Sequence, residues 1–203
     1  YGGAATAPAN PTRVGYTFTG WDKAFTNVTA NLVVTAQYSI NTYTVTFKDW
    51  NGTVLKTQEV QYGGDAEAPA DPTRTGYTFW GWTGEGITTP QPNVTIPKGS
   101  TGDKTYIENW VETGYTITLD LNGGSGQEKV IYTITDEDFE LPTPTRTGYE
   151  FVGWTGEGIT TPQTSVKIPK GSTGNKAYTA NWKVIRYTIT LVTNGGAVIA
   201  SIR

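Results

Sequence analysis

The chain has 203 residues, a formal net charge of −3 and 16% charged residues. Its Lys and Arg residues are few and scattered, so it lacks the basic surface that binds nucleic acid or anionic membranes. Cys and His are both absent, which excludes disulfides, thiolate or His-ligated metal sites, Cys nucleophiles and Ser–His–Asp catalysis.

The composition predicts a mainly β protein. Thr, Gly, Tyr and Val are abundant and Met is absent, a balance typical of strands joined by many turns. No apolar run approaches the ~18 residues of a membrane helix, so we expect no membrane insertion in this segment. The chain starts at Tyr1 without Met or a signal peptide, and we expect a piece of a longer protein.

Residues 1–40 are predicted to be an incomplete module. The opening string YGGAATAPANPTR matches YGGDAEAPADPTR at residues 62–74, which lies in the middle of a longer unit. A predicted aromatic strand, GYTFTGW, follows at residues 15–21. The segment therefore corresponds to the second half of a unit.

Residues 41–112 are predicted to be the first complete module. YTVTF at residues 43–47 alternates apolar side chains with Thr, the pattern of a half-buried strand. Trp50, Asn51 and Gly52 then give a hairpin signal, because a type I′ turn needs positive φ at both central residues. Prolines make residues 68–72 irregular, and only the segment before them allows a short helical turn.

The aromatic strand GYTFWGW of this module is predicted to alternate between two faces. On a regular strand, Tyr77, Phe79 and Gly81 lie on one face. The same alternation puts Thr78, Trp80 and Trp82 on the other face. The closing strand of the module is TYIENW at residues 105–110.

Residues 113–185 repeat this pattern as a second complete module. Tyr43, Tyr115 and Tyr187 recur at a constant interval of 72 residues, and the turn Asn122-Gly123-Gly124 corresponds to the turn at Trp50. A period of this length allows each unit a small core of its own. Residues 186–203 match only the first hairpin of a further module.

These strings resemble the internalin-B-type B repeat, also called the Listeria–Bacteroides repeat, of bacterial surface proteins. YTVTFKDWNGTVLKTQEVQYGGDAEAPADPTRTGYTFWGW follows that pattern closely, and so does PTRVGYTFTGWDKAFTNVTANLVVTAQY. The resemblance implies tandem β-grasp-like modules with mixed or antiparallel sheets in an elongated array. It also implies a secreted or wall-attached parent protein, a stalk or adhesion role, and no catalytic residue.

The recurring aromatics are expected to form the cores rather than a glycan platform. A small module has few large apolar groups, and each buried ring hides about 150–250 Å². This set comprises Tyr16, Phe18, Trp21, Tyr77, Phe79, Trp82, Tyr149, Phe151, Trp154, and the closing Trp110 and Trp182.

Trp50 and Trp80 are the candidate surface contacts. They stand where the other units have Asn122 and Asn194, or Thr19 and Val152, so the framework does not require them. An exposed Trp suits recognition. The alternatives are a contact with a host protein or glycan, and packing against a neighbouring module.

Other motifs receive a structural interpretation. The Arg residues of the PTR strings (Arg13, Arg74 and Arg146) are expected to stack on a ring or pair with a carboxylate. KGSTG at residues 98–102 and 170–174 is a turn rather than a phosphate loop. Residues 136–138, with three adjacent acids, are a solvated turn rather than a calcium site.

The sequence thus predicts a non-catalytic stalk or spacer with an adhesion role, on the bacterial cell surface or cell wall. It assigns no cofactor and no metal. The alternative is a carbohydrate- or host-protein-binding module that uses Trp50 and Trp80. An enzyme with a carboxylate pair is disfavoured, since Glu85 and Glu157 lie in separate turns. Expected partners are neighbouring modules and, by head-to-tail strand addition, a second chain.

Overall fold

The computed structural model describes residues 1–196, which form fourteen strands and no helix. They belong to two compact units, unit 1 (Tyr1–Val111) and unit 2 (Glu112–Arg203). The predicted mainly β class is confirmed, and no helical turn forms before residues 68–72. No helix of the described residues is long and apolar enough to cross a membrane.

The strands take the following bounds. The first seven are β1 (Tyr16–Trp21), β2 (Ala36–Ile40), β3 (Thr42–Lys48), β4 (Val54–Gln61), β5 (Tyr77–Gly84), β6 (Ile87–Gln91) and β7 (Lys104–Glu112). The next seven are β8 (Tyr115–Asp120), β9 (Lys129–Tyr132), β10 (Phe139–Glu140), β11 (Tyr149–Gly156), β12 (Ile159–Gln163), β13 (Lys167–Ile168) and β14 (Lys176–Val184).

Each complete module is one five-stranded mixed sheet. The order is β4-β3-β7-β5-β6 in the first module and β9-β8-β14-β11-β12 in the second. In both, the first strand and the closing strand pair in parallel at the centre, whereas β3–β4, β5–β6, β8–β9, β11–β12 and β11–β14 pair antiparallel. The second module adds a small antiparallel sheet of β10 and β13.

The sheets place one apolar cluster under each complete module. In the first module, Trp82 is fully buried between Phe47 and Phe79, with ring centroids 5.1 and 5.6 Å away in edge-to-face contacts. In the second, Trp154 is 1% exposed and packs against Phe151 at 5.4 Å. Trp110 and Trp182 are half-buried against these clusters, so the expectation of an aromatic core is met.

A β-bulge overturns the simple alternation predicted for the aromatic strands. The register of β1 shifts between Phe18 and Gly20, and that of β11 shifts between Phe151 and Gly153. Gly81 has the matching φ of 133°. The extra residue turns Trp82 onto the face of Phe79, whereas Trp80 stays on the opposite face and is 54% exposed.

Only glycine fits at this bulge. A Cβ on Gly81 would lie 2.5 Å from the backbone of Gln91, and one on Gly153 would lie 2.4 Å from that of Gln163. The strands at this contact, β6 and β12, are sheet edges and carry Pro90 and Pro162. These two strands, ITTPQ in both modules, were absent from the sequence-based prediction.

The predicted first hairpins differ between the two modules. In the first, Lys48 pairs with Val54 directly across the turn, and of the pair Asn51 and Gly52 only the glycine has positive φ, at 95°. In the second, Asn122 and Gly123 both have positive φ, as a type I′ turn requires. The predicted hairpin is confirmed, since β8 and β9 pair antiparallel, but residues 121–128 form a longer connection between them.

The chain of the second module leaves the sheet after this turn. Ser125 forms a bridge with Thr145, and β9 begins only at Lys129. The two hydrogen bonds between Ser125 and Thr145, of 2.7 and 2.9 Å, tie the turn to the PTR loop instead of to the next strand. A long-range contact therefore lies within the connection between β8 and β9.

Residues 1–40 contribute only the antiparallel pair β1 and β2. The rings of Phe18, Trp21, Phe25 and Tyr38 form a chain of edge-to-face contacts with centroids 5.4–5.8 Å apart. Trp21 remains half-buried, whereas Trp82 is fully buried. The missing cover is the first strand, which supplies Phe47 to Trp82.

A tight joint connects this first pair of strands to the following module. The amide of Asn41 donates to Gly15 O at 2.9 Å, and that of Tyr62 donates to Asn41 O at 2.8 Å. The Tyr62 ring lies so close to Gly15 that a Cβ there would be 2.2–2.4 Å from ring atoms. It also meets the Tyr16 ring edge-to-face at 5.8 Å.

The strand predicted at residues 187–191 is reduced to a single β-bridge at Ile189. The turn that follows is present, with Asn194 at a φ of 43° and Gly195 at 100°. The second strand of this hairpin, predicted within residues 197–203, lies outside the described residues.

The joint predicts unequal effects of Ala at two equivalent glycines. Gly15 and Gly148 have φ of 76° and 80°, but nothing lies within 4 Å of a Cβ at Gly148. Both substitutions carry backbone strain of about 1–2 kcal/mol, and only Gly15→Ala also displaces the Tyr62 ring. Gly15→Ala should lower the free energy of unfolding by at least ~1 kcal/mol more, measured by urea denaturation. Equal decreases in the free energy of unfolding for Gly15→Ala and Gly148→Ala would contradict the close contact between Gly15 and Tyr62.

Candidate functional site

Trp50 is an exposed ring held in a fixed position. It follows β3 in the turn to β4, and 56% of its surface is exposed. Its backbone amide donates to Glu108 Oε1 at 3.2 Å, and the Arg74 guanidinium lies 4.1 Å from its ring centroid. These two contacts hold Trp50 in place, and the exposed part of its ring remains accessible to solvent.

The turn that carries Trp50 is tied by its own side chains. Asp49 Oδ1 accepts from the amides of Asn51 and Thr53, at 3.0 and 2.8 Å. Asn51 Oδ1 accepts from the amide and the hydroxyl of Thr53, at 3.0 and 2.6 Å. Such local side-chain bonds fix a turn without a packed core, so the ring of Trp50 is presented on a rigid support.

Arg74 lies between two aromatic rings. Its guanidinium is 3.8 Å from the centroid of Tyr77 on one side and 4.1 Å from that of Trp50 on the other. Arg13 and Arg146 stack on the equivalent rings of Tyr16 and Tyr149, at 3.8 and 3.9 Å. The predicted stacking of the PTR arginines is confirmed, and the addition of Trp50 distinguishes Arg74 from the other two.

Glu108 is a buried carboxylate beneath this stack. It is 5% exposed, and its Oε1 accepts from Trp50 N and from Trp110 Nε1, the latter at 2.9 Å. Its Oε2 is buried without a hydrogen-bond partner among the described residues. Burying a carboxylate oxygen without a partner is costly, so Glu108 is a strained support for Trp50.

Sequence reasoning missed Glu108, since the residue looks like one polar position on an alternating strand. Comparison of the two modules provides the signal, because the equivalent residue in the second is Ala180, which is fully buried. In the second module, backbone carbonyl groups provide the acceptors at this position. Trp182 Nε1 donates to Leu121 O at 3.0 Å, and Asn122 Nδ2 donates to Ala180 O at 3.1 Å.

Trp80 does not join Trp50 in one platform. Trp80 precedes the bulge at Gly81 and lies on the face of β5 opposite Phe79. Trp50 stacks through Arg74 onto Tyr77, whose side chain shares the face of Phe79. The two candidate contact residues are both exposed, as predicted for off-pattern tryptophans, but they lie on opposite faces of the sheet.

Two of the three acidic residues at 136–138 form ion pairs with lysines. Asp138 pairs with Lys167 at 2.6 Å and Glu137 with Lys170 at 2.5 Å. The hydrogen bond from Lys167 lowers the pKa of the Asp138 carboxyl from its ordinary value. No group of three acids in the described residues could hold a metal ion, and the KGSTG strings form turns as predicted.

The two glutamates considered for catalysis lie in turns, and Glu85 forms an ion pair. Glu85 Oε2 accepts from Lys104 Nζ at 2.8 Å, and Lys104 is 7% exposed. Glu157 has a positive φ of 34° in the turn between β11 and β12. Glu85 belongs to unit 1 and Glu157 to unit 2.

A family model described as the Listeria-Bacteroides repeat domain matches residues 1–41, 43–106 and 115–180. The three matches cover most of the chain and follow its repeats. Each match starts or ends close to a boundary between repeats, and the first spans the incomplete one. The resemblance noted in the sequence is confirmed.

The relatives are longer proteins. One, named a Gly-rich membrane protein of Evansella cellulosilytica, is 28% identical over 216 residues, which cover all of this chain and 24% of the relative. Another, named a membrane protein of the same organism, is 27% identical over 192 residues, 90% of this chain and 29% of the relative.

Internalin H of Listeria monocytogenes is 44% identical over 86 residues, which are 37% of this chain and 15% of that protein. The chain therefore spans less than a third of the length of each of these relatives.

The support of Trp50 predicts opposite results for two substitutions of Glu108. Glu108→Gln keeps an oxygen acceptor for Trp50 N and Trp110 Nε1 and removes a buried charge, so stability should stay equal or rise. Glu108→Ala leaves both donors without an acceptor and should cost about 2 kcal/mol. Urea denaturation of unit 1 measures both effects, and equal stabilities of the two variants would contradict the role of Glu108.

Proposed function

Because the chain belongs to the Listeria-Bacteroides repeat family and is similar to an internalin and to proteins named as membrane proteins, we propose that it is a non-catalytic, load-bearing spacer of a bacterial cell-surface protein. Those matches support a repeat segment of a surface or membrane-associated protein. Extracellular placement, the elongated array and the spacer role are the proposal.

One observation carries the spacer role: each complete module buries its own aromatic cluster. The cluster around Trp82 and Phe47 contains residues of the first complete module, and the cluster around Trp154 and Ile117 contains residues of the second. Modules that each have their own hydrophobic core can be added or removed without changing the packing of their neighbours. Such units set a distance along a chain by their number.

The sheet order suits a module that bears tension. The first and closing strands of each module are adjacent and parallel, with Val45 opposite Lys104 and Ile117 opposite Lys176. Because these two strands run parallel, the start of the first strand and the end of the closing strand lie at opposite ends of the pair along the strand direction, so a pull along the chain loads this ladder in shear. All its bonds must then break together, which supports the load-bearing role. The same order supports the β-grasp-like description.

A side chain closes the start of this ladder in both modules. Asp103 Oδ1 accepts from Thr44 N at 2.9 Å, and Asn175 Oδ1 accepts from Thr116 N at 2.9 Å. Each cap sits just before the closing strand and adds one bond to the parallel pair. The recurrence of this cap in both modules supports a common mechanical role.

An alternative function is recognition through the exposed tryptophans. Trp50 is fixed by Arg74 and Glu108 and yet more than half exposed. A rigid aromatic ring binds a sugar or a protein surface with little loss of side-chain entropy. Because Trp50 and Trp80 lie on opposite faces, they would act as two separate contacts, whose weak affinities add by avidity.

The spacer proposal predicts that resistance to force depends on the direction of pull. The chain has no Cys, so cysteine handles can be placed at Thr42 and Val111, the ends of the parallel pair, or at Thr42 and Gln61, which face each other in an antiparallel pair. Single-molecule pulling should need a several-fold higher force in the first geometry.

The two cysteine variants share one fold, so a difference in their unfolding forces reflects the direction of pull. Pulling across the whole chain should give two separate unfolding events, each releasing roughly 200–250 Å of extended chain. Equal forces in the two geometries, or one event for both modules, would contradict the load-bearing proposal.

The recognition alternative predicts loss of binding without loss of folding. Trp50→Ala combined with Trp80→Ala should abolish retention on a glycan array or host-cell surface and leave the melting profile near that of the parent chain. Val152→Ala, at the position equivalent to Trp80 in the second module, is the matched control. Unchanged binding by the double variant would remove this alternative.

A further inference from the structure

The hydrogen-bond donors of Arg74 are not used within the described part of the chain. Its guanidinium is half-buried between the rings of Tyr77 and Trp50, 3.8 and 4.1 Å from their centroids. Within residues 1–196, its side chain forms no hydrogen bond and no ion pair. An arginine presents five N–H donors in a planar fork. The two rings therefore hold the guanidinium in place and leave its donors open to an incoming group.

The equivalent arginine of the second module has its acceptor already. Arg146 stacks on Tyr149 at 3.9 Å, and its Nη1 donates to Asn122 O at 2.9 Å. Its Cζ lies only 3.2 Å from the position of a Cβ at Gly123, so the guanidinium rests against the backbone of the turn. In the first module a tryptophan ring takes this place. The two modules thus differ in whether the guanidinium is bonded to the turn.

The carboxylates that support Trp50 are bonded to other donors. Glu108 Oε1 accepts from Trp50 N at 3.2 Å and from Trp110 Nε1 at 2.9 Å. Asp49 Oδ1 accepts from two amides of its own turn, at 3.0 and 2.8 Å. The charge of Arg74 is therefore not cancelled by a direct ion pair. A hydrogen bond between such a charge and an anionic oxygen is about twice as strong as a neutral one.

The surroundings of this guanidinium suit a sugar better than a protein. Trp50 is 56% exposed on its turn, together with exposed Thr53, and exposed Thr73 and Thr75 flank Arg74 along the chain. A protein partner is anchored mainly by side chains that fill desolvated pockets, which an exposed ring on a turn does not provide. A pyranose has a flat apolar face to lie on the ring and polar groups at its rim.

We propose that Trp50 and Arg74 form a binding site for an acidic sugar. The pyranose stacks on the exposed part of the Trp50 ring, and its carboxylate accepts from the guanidinium of Arg74. The planar fork of arginine matches a carboxylate, which it can bind through two parallel hydrogen bonds. The proposal rests on the recognition alternative given above and adds the class of ligand, a uronic acid. Trp80, on the opposite face of the sheet, is not part of this site.

Three probes separate the charge of the ligand from its ring. Tetragalacturonate carries both, its methyl ester keeps the rings without the charge, and tetraglutamate keeps the carboxylates without the sugar. Ligand-observed NMR with the whole chain measures the dissociation constants, and the shift of the Trp50 indole N–H signal locates the site. Tetragalacturonate should bind at least about tenfold more tightly than either of the other two probes.

Substitutions of the two equivalent arginines provide a matched comparison. Arg74→Gln should abolish the preference for the acid over its methyl ester. Arg146→Gln removes the same charge from the second module and should leave the preference unchanged. Arg74→Lys keeps the charge without the planar fork, so it should reduce the preference, and it carries the test if Arg74→Gln does not fold. Trp50→Ala should weaken binding of the acid and of the ester.

The outcomes distinguish this proposal from the recognition alternative on which it rests. Equal binding of the acid and the ester, lost in Trp50→Ala, would overturn the acidic ligand and leave recognition through Trp50 standing. Equal binding of tetraglutamate would overturn the sugar and indicate an acidic peptide. Binding that survives both Trp50→Ala and Arg74→Gln would remove the site and the recognition role of Trp50 together. A Trp50 signal that does not shift with tetragalacturonate at any concentration would also overturn the proposal.

Discussion

The parallel pairing of a module's first strand with its closing strand is the interaction on which each sheet depends. It joins the hairpin β3–β4 to the hairpin β5–β6 in the first module, and β8–β9 to β11–β12 in the second. It also brings Phe47 over Trp82, which closes the core. Where the pair is missing, in residues 1–40, the closing strand is shorter and Trp21 is only half-buried.

Much of this arrangement could be predicted from the sequence, because its determinants are local and repeated. Alternation of Thr with apolar residues predicted β3 and β8, and recurrence of aromatic residues predicted the cores. The stacked arginines followed from a charge placed just before a ring. In each case the relevant contact lies within a few residues or at a fixed interval.

The features that escaped prediction depend on contacts between distant segments. The bulge at Gly81 is required by the close approach of Gln91, and strict alternation therefore misplaced Trp82. The turn at Asn122 has the φ angles of a hairpin but is bound to the PTR loop through Ser125 and Thr145. The burial of Glu108 depends on Trp50 and Trp110, neither of which is a framework requirement of the strand.

Pro90 in β6 and Pro162 in β12 have a consequence for neighbouring modules that share the strand sequence ITTPQ. Proline has no amide hydrogen, so it interrupts the row of donors that an outermost strand would offer to another sheet. Adjacent modules that share a sequence are prone to exchange strands during folding. A proline in the same outermost strand of both modules disfavours edge-to-edge pairing of their sheets. The repeats can therefore keep a shared strand sequence with less risk of aggregation.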